Sequence, residues 1–440
     1  MTLSRRSALK SLALPALAGL GTAGCAGGGR AVQVAVVWTD WELTRFEQVM
    51  DAFSRRHNIG YSLLSMGDDT AAFLSNEVTA LAEPDVALIP QPGLVRSGPT
   101  QKLLSRVGWP AADAPSWRSL LASPAGSQYG VWFKAAHESM VWHGADLQVP
   151  PGGWDWDTWI GQCRALAERG RPPLSIGAAD GWVPALWFAN VLLSIDPPLY
   201  HVLAVRYGNG PPSGPGPTWD NPNVRLALGR LADVWRIDGA FPGGPERALA
   251  TQFDQSVLDV FGSGDAAMVA GADFFWPVIK NSTTFPLDRV RWFPFPSKPG
   301  ESRPVVVAGD AAVLFPRPGQ EGPGRQLIDW LQTPEAARIW ARAGGYLSIN
   351  DQVMAPDYAD YPASMRTQQL IADVRRGWPP AGSAAFDLAD VLGGTLGGGD
   401  GAGTWKIFTD FFTAVAVQRS AVPGAIDAAV TALDEGLGGA

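Results

Sequence analysis

The chain has 440 residues, with 34 basic and 42 acidic side chains and a formal net charge of −8 at pH 7. Because this acidic balance is spread without long runs of like charge, it argues against nucleic acid or an anionic lipid surface as a partner. Beyond Cys25 the only cysteine is Cys163, so no internal disulfide is expected and the fold depends on its core. The length is too great for one core and predicts two lobes.

The N-terminus has the pattern of an export signal. Arg5 and Arg6 precede a short apolar segment, residues 9–20, and small residues then lead to Cys25. The apolar segment is too short to span a bilayer of ~30 Å, and paired arginines are typical of twin-arginine export. Small residues that end on a cysteine resemble a bacterial lipobox. The sequence therefore predicts a signal peptide over residues 1–24, lipidation of Cys25 and a location on the outer face of the cytoplasmic membrane. An ordinary secretory leader that contains a cysteine is the alternative.

Strands and helices alternate after this leader. The β-branched apolar run at residues 32–38 predicts a buried strand. Four apolar residues then follow at i, i+3, i+4 and i+7, which is one stripe of an amphipathic helix: Phe46, Val49, Met50 and Phe53. The next predicted elements are a strand at 61–64, a helix at 70–82 and a strand at 86–89. This β-α-β-α-β order predicts a layered α/β lobe.

Two later helices are predicted from their N-terminal caps. Asp155 caps a helix whose apolar face includes Cys163, which is then a small core residue and not a nucleophile. Thr333 supplies a hydroxyl cap, Pro334 the first helical position and Glu335 an acid in the first turn. Three tryptophans recur at helical spacing with other apolar residues and are predicted to lie in the core: Trp235, Trp330 and Trp340.

Known catalytic and metal-binding motifs are missing from the sequence. The pair His137-Glu138 lacks the second histidine of a zinc-protease helix, and no Gly-Lys pair provides a phosphate loop. No Gly-x-Ser-x-Gly nucleophile elbow occurs. Asp155 and Asp157 fit a helix start better than a glycosidase carboxylate pair. We therefore predict no catalytic residue, no metal and no cofactor, and a protein that is not an enzyme.

Five segments together resemble a known family. The segment 258–271, Leu-Asp-Val-Phe-Gly-Ser-Gly-Asp-Ala-Ala-Met-Val-Ala-Gly, is similar to the F-x-x-G-x-A-A-M signature of carbohydrate-binding solute-binding proteins of ABC importers. Four other segments stand in the order of that family: 131–142, 154–167, 305–315 and 331–346. Three further features look most like the α-glucoside branch: Pro90-Gln91-Pro92-Gly93, Asp387-Leu388-Ala389-Asp390 and Trp405.

The resemblance implies an α/β, two-lobed periplasmic-binding-protein fold, in which each lobe is a sheet flanked by helices and hinge crossovers join the lobes. On this basis one lobe comprises residues 25–137 and 310–345, and the other comprises 138–309 and 346–440. The implied function is a lipid-anchored receptor that captures a sugar, with α-glucosides as one candidate class, in the cleft and delivers it to an ABC importer. The expected partners are a carbohydrate ligand, the permease subunits of the importer and the membrane through the lipid anchor. A monomer is expected, without nucleic acid.

The resemblance also implies which loops carry the ligand site. A sugar has hydroxyls and apolar C–H faces, so its site needs planar rings and fixed polar partners, and bonds to carboxylates are the stronger ones. The candidate ligand-binding residues are Trp41, Glu42, Gln91, Asp180, Trp182, Asp273, Trp276, Asp310 and Trp405. Trp41 and Glu42 fit a plain helix start equally well.

Two alternatives remain open at this point. One is an extracellular carbohydrate-active enzyme on a similar two-lobed scaffold, which release of reducing ends would reveal. The other keeps the fold but changes the ligand to a glycerophosphodiester. A phosphate would normally bring an Arg or Lys cluster or a helix N-terminus into the cleft, and the candidate loops contain no such cluster.

Overall fold

Two β-sheets organise the chain. The computed structural model describes residues 31–67, 84–96, 101–109, 115–123, 125–208, 215–316, 321–358, 367–376, 384–392 and 403–438. The strands are β1 Val32–Val36, β2 Tyr61–Ser65, β3 Val86–Ile89, β4 Gly130–His137, β5 Met140–Gly144, β6 Leu174–Ser175, β7 Met268–Gly271, β8 Val290–Pro294, β9 Val305–Leu314 and β10 Ala384–Phe386. The predicted helix at 70–82, the predicted leader and Cys25 lie outside the described residues.

The first sheet has the strand order β10-β9-β3-β1-β2, and β4 pairs with β9. The strands β2, β1 and β3 are parallel to one another, whereas β9 runs antiparallel to both β3 and β4. The predicted strands at 61–64 and 86–89 are confirmed, and the first strand is confirmed but ends at Val36 and not at Trp38. The parallel pairing of β1 with β2 follows from the helix Asp40–His57, which crosses over between the two strands.

The second sheet has the strand order β6-β7-β5-β8. Its central strand β5 runs antiparallel to both β7 and β8, and β6 is parallel to β7. β5 is buried along its whole length, as expected for a strand covered on both faces. Two sheets flanked by helices confirm the predicted α/β class.

Helices surround both sheets. They are α1 Asp40–His57, α2 Pro92–Arg96, α3 Pro115–Arg118, α4 Trp156–Glu168, α5 Trp182–Ile195, α6 Pro197–Tyr207, α7 Pro222–Trp235, α8 Pro245–Ala248, α9 Phe253–Phe261, α10 Phe275–Ser282, α11 Glu321–Leu331, α12 Pro334–Ala341, α13 Thr367–Arg376, α14 Leu388–Leu392, α15 Gly403–Phe412 and α16 Val422–Gly438. A π-helical turn, Thr413–Val417, follows α15. Within the described part of the chain, none of these helices combines the length and the apolar character needed to cross a membrane.

The predicted helix caps and core residues are confirmed. The Asp155 carboxylate accepts the Thr158 N–H at 2.9 Å at the start of α4, and the Thr333 hydroxyl accepts the Ala336 N–H at 3.2 Å at the start of α12. The thiol of Cys163 is buried, and that burial raises its pKa, as expected for an inert core residue. The predicted stripe of α1 and the three predicted core tryptophans are buried as well.

The two sheets are joined by crossovers at His137–Met140 and between Pro294 and Val305. β9 lies in the first sheet from Val305 onward, ahead of the predicted lobe boundary at residue 310. β10 also pairs with β9 in the first sheet, although the prediction placed 346–440 in the second lobe. The lobe bounds stay a prediction, and these strands favour assigning 305–309 and 384–386 to the first lobe.

Candidate functional site

A cavity of about 610 Å³ opens where loops of the two sheets meet. From the first sheet it is lined by the segment after β1, by β4 and by β9. From the second it is lined by the N-termini of α5 and α9 and by the loop that precedes α10. A volume of this size is typical of a site for a small-molecule ligand.

The cavity combines aromatic rings with acidic groups. Its aromatic lining residues are Trp38, Trp41, Trp182, Phe253, Phe274 and Trp405. Its charged lining residues are Asp40, Glu42, Lys134, Glu138, Asp180, Asp254, Asp310, Asp387 and Asp390. Among the described lining residues Lys134 is therefore the only cation, in surroundings that are otherwise acidic.

Six of the nine sequence-derived candidates are brought together at this cavity: Trp41, Glu42, Asp180, Trp182, Asp310 and Trp405. Three are not on its described surface: Gln91, Asp273 and Trp276. Gln91 is 2% exposed at the start of α2, where its carbonyl accepts the Leu94 N–H. Trp276 is also 2% exposed, because the first turn of α10 directs it into the core.

Asp273 supports the crossover between the sheets. Its carboxylate accepts the His137 N–H at 2.8 Å, and its own N–H donates to the His137 carbonyl at 2.9 Å. The side chain is completely buried. The carboxylate that the sequence suggested for a ligand is thus engaged by the backbone at the end of β4.

Lys134 lies at the centre of a buried charged cluster. Its Nζ is 2.6 Å from Glu42 Oε1 and 3.7 Å from Asp310 Oδ2. Asp310 is its cross-strand partner in the β4–β9 pair, which explains why the two side chains meet. The ammonium also lies 5.1 Å from the ring centroid of Phe274 and 5.4 Å from that of Trp340, within cation–π range.

Electrostatics favour the charged form of Lys134. Burial disfavours the ammonium, but the carboxylates of Glu42 and Asp310 outweigh that effect and raise the pKa of Lys134. Burial raises the pKa of Asp310 to about 6, although Lys134 and a hydrogen bond from the Trp38 indole oppose that shift. The result is an ammonium held between two acidic side chains on one wall of the cavity.

Aromatic rings form other parts of the wall. Trp182 packs with Phe253 and Phe274 at centroid distances of 5.6 and 6.0 Å. Glycine at position 345, with a φ of +65°, allows Trp41 to pack closely, since a Cβ there would lie 2.8 Å from the Trp41 ring. Planar rings exposed in a cavity are suitable stacking surfaces for the C–H faces of a sugar.

The cavity also has a second acidic group, which we call the carboxyl cluster: Glu138, Asp387 and Asp390. The sequence pointed to Asp387 and Asp390 only as part of a family-like segment, and none of the three was a candidate ligand-binding residue. Glu138 follows β4 directly, and Asp387 begins α14 by accepting the N–H groups of Ala389 and Asp390 at 2.8 and 3.2 Å. Burial raises the pKa of Asp387 to about 6. Burial, reinforced by repulsion from Asp387, also raises the pKa of Glu138 and of Asp390. The sequence feature that could have revealed this cluster is the presence of acidic residues inside otherwise apolar segments.

Comparisons with known proteins give related binding proteins. No protein-family model matches the chain. It is 25% identical over 372 residues to the osmoprotective compounds-binding protein GgtB of Synechocystis sp., covering 81% of this chain and 83% of that protein. It is 24% identical over 359 residues to the alpha-glucosides-binding periplasmic protein AglE of Rhizobium meliloti, covering 76% and 73%.

Solved structures of other proteins share the architecture of this chain over most of its length. The solute receptor AcbH, described as having an exclusive preference for β-D-galactopyranose, superposes with a TM-score of 0.72 at 13% identity, covering 93% of this chain and 98% of that one. The GacH receptor of Streptomyces glaucescens, solved with acarbose, gives a TM-score of 0.68 at 13% identity, covering 92% and 98%. These likenesses confirm the predicted resemblance in fold and in sequence: the chain has the two-lobed fold of solved solute receptors, and it is similar to binding proteins for osmoprotective compounds and for alpha-glucosides.

Proposed function

We propose that the protein captures a sugar in the cavity between its two sheets and delivers it to an ABC importer. The observation that carries this proposal is the pairing of Trp41, Trp182 and Trp405 with fixed carboxylates around one cavity of about 610 Å³. Rings match the apolar faces of a sugar ring, and carboxylates match its hydroxyls. Because crossovers join the two sheets, the two halves of the protein can close over a bound sugar, and a transporter can distinguish the closed form from the open one.

A non-enzymatic role is part of the proposal. The related proteins are named as binding proteins. The glycerophosphodiester alternative is disfavoured by the acidic lining, in which the one lysine is already 2.6 Å from Glu42.

Thermal unfolding with a panel of sugars tests the function. A ligand that binds only the folded protein stabilises it by about 2.7 kcal/mol at a concentration of 100 Kd, so the matching sugar should raise the Tm. The panel contains glucose, galactose, maltose, trehalose, sucrose and raffinose. Recovery of the sugar unchanged after incubation supports a receptor, whereas release of reducing ends supports an enzyme.

A pair of variants gives this screen a control. Trp182→Ala should lose most of the sugar-induced Tm shift, because it removes a stacking face from the cavity. Leu226→Ala changes an exposed residue of α7 and should keep the full shift. If no sugar shifts the wild-type Tm, the proposed function is wrong.

We further propose that the mature protein is anchored to the membrane through Cys25. Two or more acyl chains, at ~0.8 kcal/mol per buried CH₂, make such attachment stable. Cys25→Ala should therefore move the protein from the membrane fraction to the soluble fraction in cell fractionation, with an unchanged circular dichroism spectrum. A wild-type protein that is already in the soluble fraction would contradict the anchor.

A further inference from the structure

The carboxyl cluster contains more acidic groups than the fold uses. Asp387 begins α14 by binding two backbone N–H groups. Glu138 and Asp390 are 7% and 9% exposed and line the cavity. Among the described residues, the side-chain carboxyls of Glu138 and Asp390 have neither a hydrogen-bond donor nor an ion-pair partner. Burying polar groups without partners is costly, so these two carboxyls are suited to a ligand that supplies the partners.

The groups around the cluster are mostly acidic. Glu138 faces Asp273, Lys134 and Asp310, as well as the other two members of the cluster. Asp390 faces Asp310 and the other two members of the cluster, Asp387 and Glu138. Three further groups near the cluster are engaged elsewhere: the Tyr200 hydroxyl donates to the Phe386 carbonyl, Arg96 donates to the Val391 carbonyl, and Lys134 pairs with Glu42.

These surroundings favour carboxyls that hold protons. Burial and mutual repulsion raise the pKa of both Glu138 and Asp390. A protonated carboxyl donates one hydrogen bond and still accepts others, which is also the capacity of a sugar hydroxyl. An anionic ligand would instead be repelled by the ionised carboxylates of the cavity and would find no unpaired cation among its described residues.

We propose that Glu138 and Asp390 form a hydroxyl-binding subsite that makes the cavity selective for neutral sugars over anionic ones. This proposal rests on the proposed function and names its ligand class. The two residues contact the ligand as neutral donors and acceptors, so binding is linked to their protonation. Affinity should consequently fall as the pH rises, by up to tenfold per pH unit for each proton taken up.

Titration calorimetry of the mature protein tests this subsite. The neutral probes are glucose, maltose and trehalose, and the charge pair is glucuronamide against glucuronate, which have nearly the same shape. We expect glucuronate to bind at least about 30-fold more weakly than glucuronamide. Glu138→Gln and Asp390→Asn should keep neutral-sugar affinity within about fivefold, because an amide also donates and accepts. Glu138→Leu should lose about 30-fold or more.

The pH profile gives a readout that a purely structural role would not change. Wild-type affinity should decrease as the pH rises, with proton uptake on binding wherever the affinity falls. The double variant Glu138→Gln/Asp390→Asn should show a shallower profile, because only Asp310 and Asp387, whose pKa values burial raises to about 6, then remain to titrate at the cavity. The Tm of each variant is measured alongside. Glu47→Leu, at an exposed position of α1, is the control for loss of a carboxyl and should bind as the wild type does.

Failure of the subsite and failure of the proposed function give different results. If the wild type binds a neutral sugar but Glu138→Leu binds it equally well, the subsite is wrong and the function stands. Equal loss in Glu138→Gln and Glu138→Leu means that the carboxylate acts through its charge, which also overturns the subsite. Equal affinity of the wild type for glucuronate and glucuronamide would also overturn the subsite. If no neutral sugar binds the wild type, both proposals fall.

Discussion

Replacing Lys134 with methionine should destabilise the protein by about 3–5 kcal/mol near pH 7, because it leaves the buried carboxylate of Asp310 and the half-buried one of Glu42 without their counterion. The side chain is 5% exposed and lies 2.6 Å from Glu42 and 3.7 Å from Asp310. Methionine has a similar length and shape, so the change removes mainly the charge. Urea unfolding followed by circular dichroism measures the loss, and Lys102→Met at an exposed position is the control.

The loss of stability caused by Lys134→Met should become larger as the pH rises. The pKa of Asp310 is already raised to about 6 by burial, and it rises further without Lys134. A carboxyl whose folded pKa exceeds its unfolded value weakens folding as the pH rises between the two. The difference between variant and wild type should thus be largest at pH 7 and above, and should shrink toward pH 4. Adding Glu42→Gln and Asp310→Asn should recover much of the loss at pH 7. A loss that is equal at pH 4 and pH 7 would contradict this account.

Truncating Trp340 to alanine should lower stability by a similar amount, about 3–5 kcal/mol, for a different reason. The indole is completely buried and packs edge-on against Trp38 at a centroid distance of 4.7 Å and stacks on Tyr346 at 5.7 Å. Alanine would leave a large cavity in the core of the first sheet. Because Trp340 does not line the ligand cavity, the folded variant should bind sugar nearly as the wild type does.

Phenylalanine at the same position separates packing from hydrogen bonding. The Trp340 indole N–H has no hydrogen-bond partner in the described part of the protein, so Trp340→Phe loses ring area but no bond. Its cost should be well below that of alanine in the same urea experiment. An equal cost for both changes would show that the aromatic contacts with Trp38 and Tyr346 are not the source of the stability.

Local patterns were sufficient for most of the fold. The stripe of α1, the strand β3 and the caps Asp155 and Thr333 depend on neighbours within one or two turns of the chain, so the sequence determines them directly. The order of five family-like segments supplied the two-lobed arrangement. The extent of β10 and its place beside β9 could not be predicted, because they depend on pairing between segments far apart in the chain.

Only part of the candidate site could be predicted, because local sequence identifies some of its residues whereas others depend on contacts between distant segments. Trp41, Trp182 and Asp310 follow strand ends or occupy crossover strands, where neighbouring sequence indicates the position. Lys134 was overlooked because it lies in a strand that reads as buried, and its role depends on a cross-strand partner. Trp276 shows the opposite error: its ring chemistry suits a sugar, but the direction of its side chain is set by packing of α10.

The paired hydrogen bonds between Asp273 and His137 have a mechanical consequence. They clamp the end of β4 to the loop after β7, so that two segments far apart in sequence move as one unit. The same strand carries Lys134, close to the ligand cavity. A rotation of one sheet relative to the other about this clamp would therefore move β4 directly, and with it the cavity wall that carries Lys134. One buried carboxylate therefore contributes to the stiffness of the connection between the two sheets as well as to the order of the loop after β7.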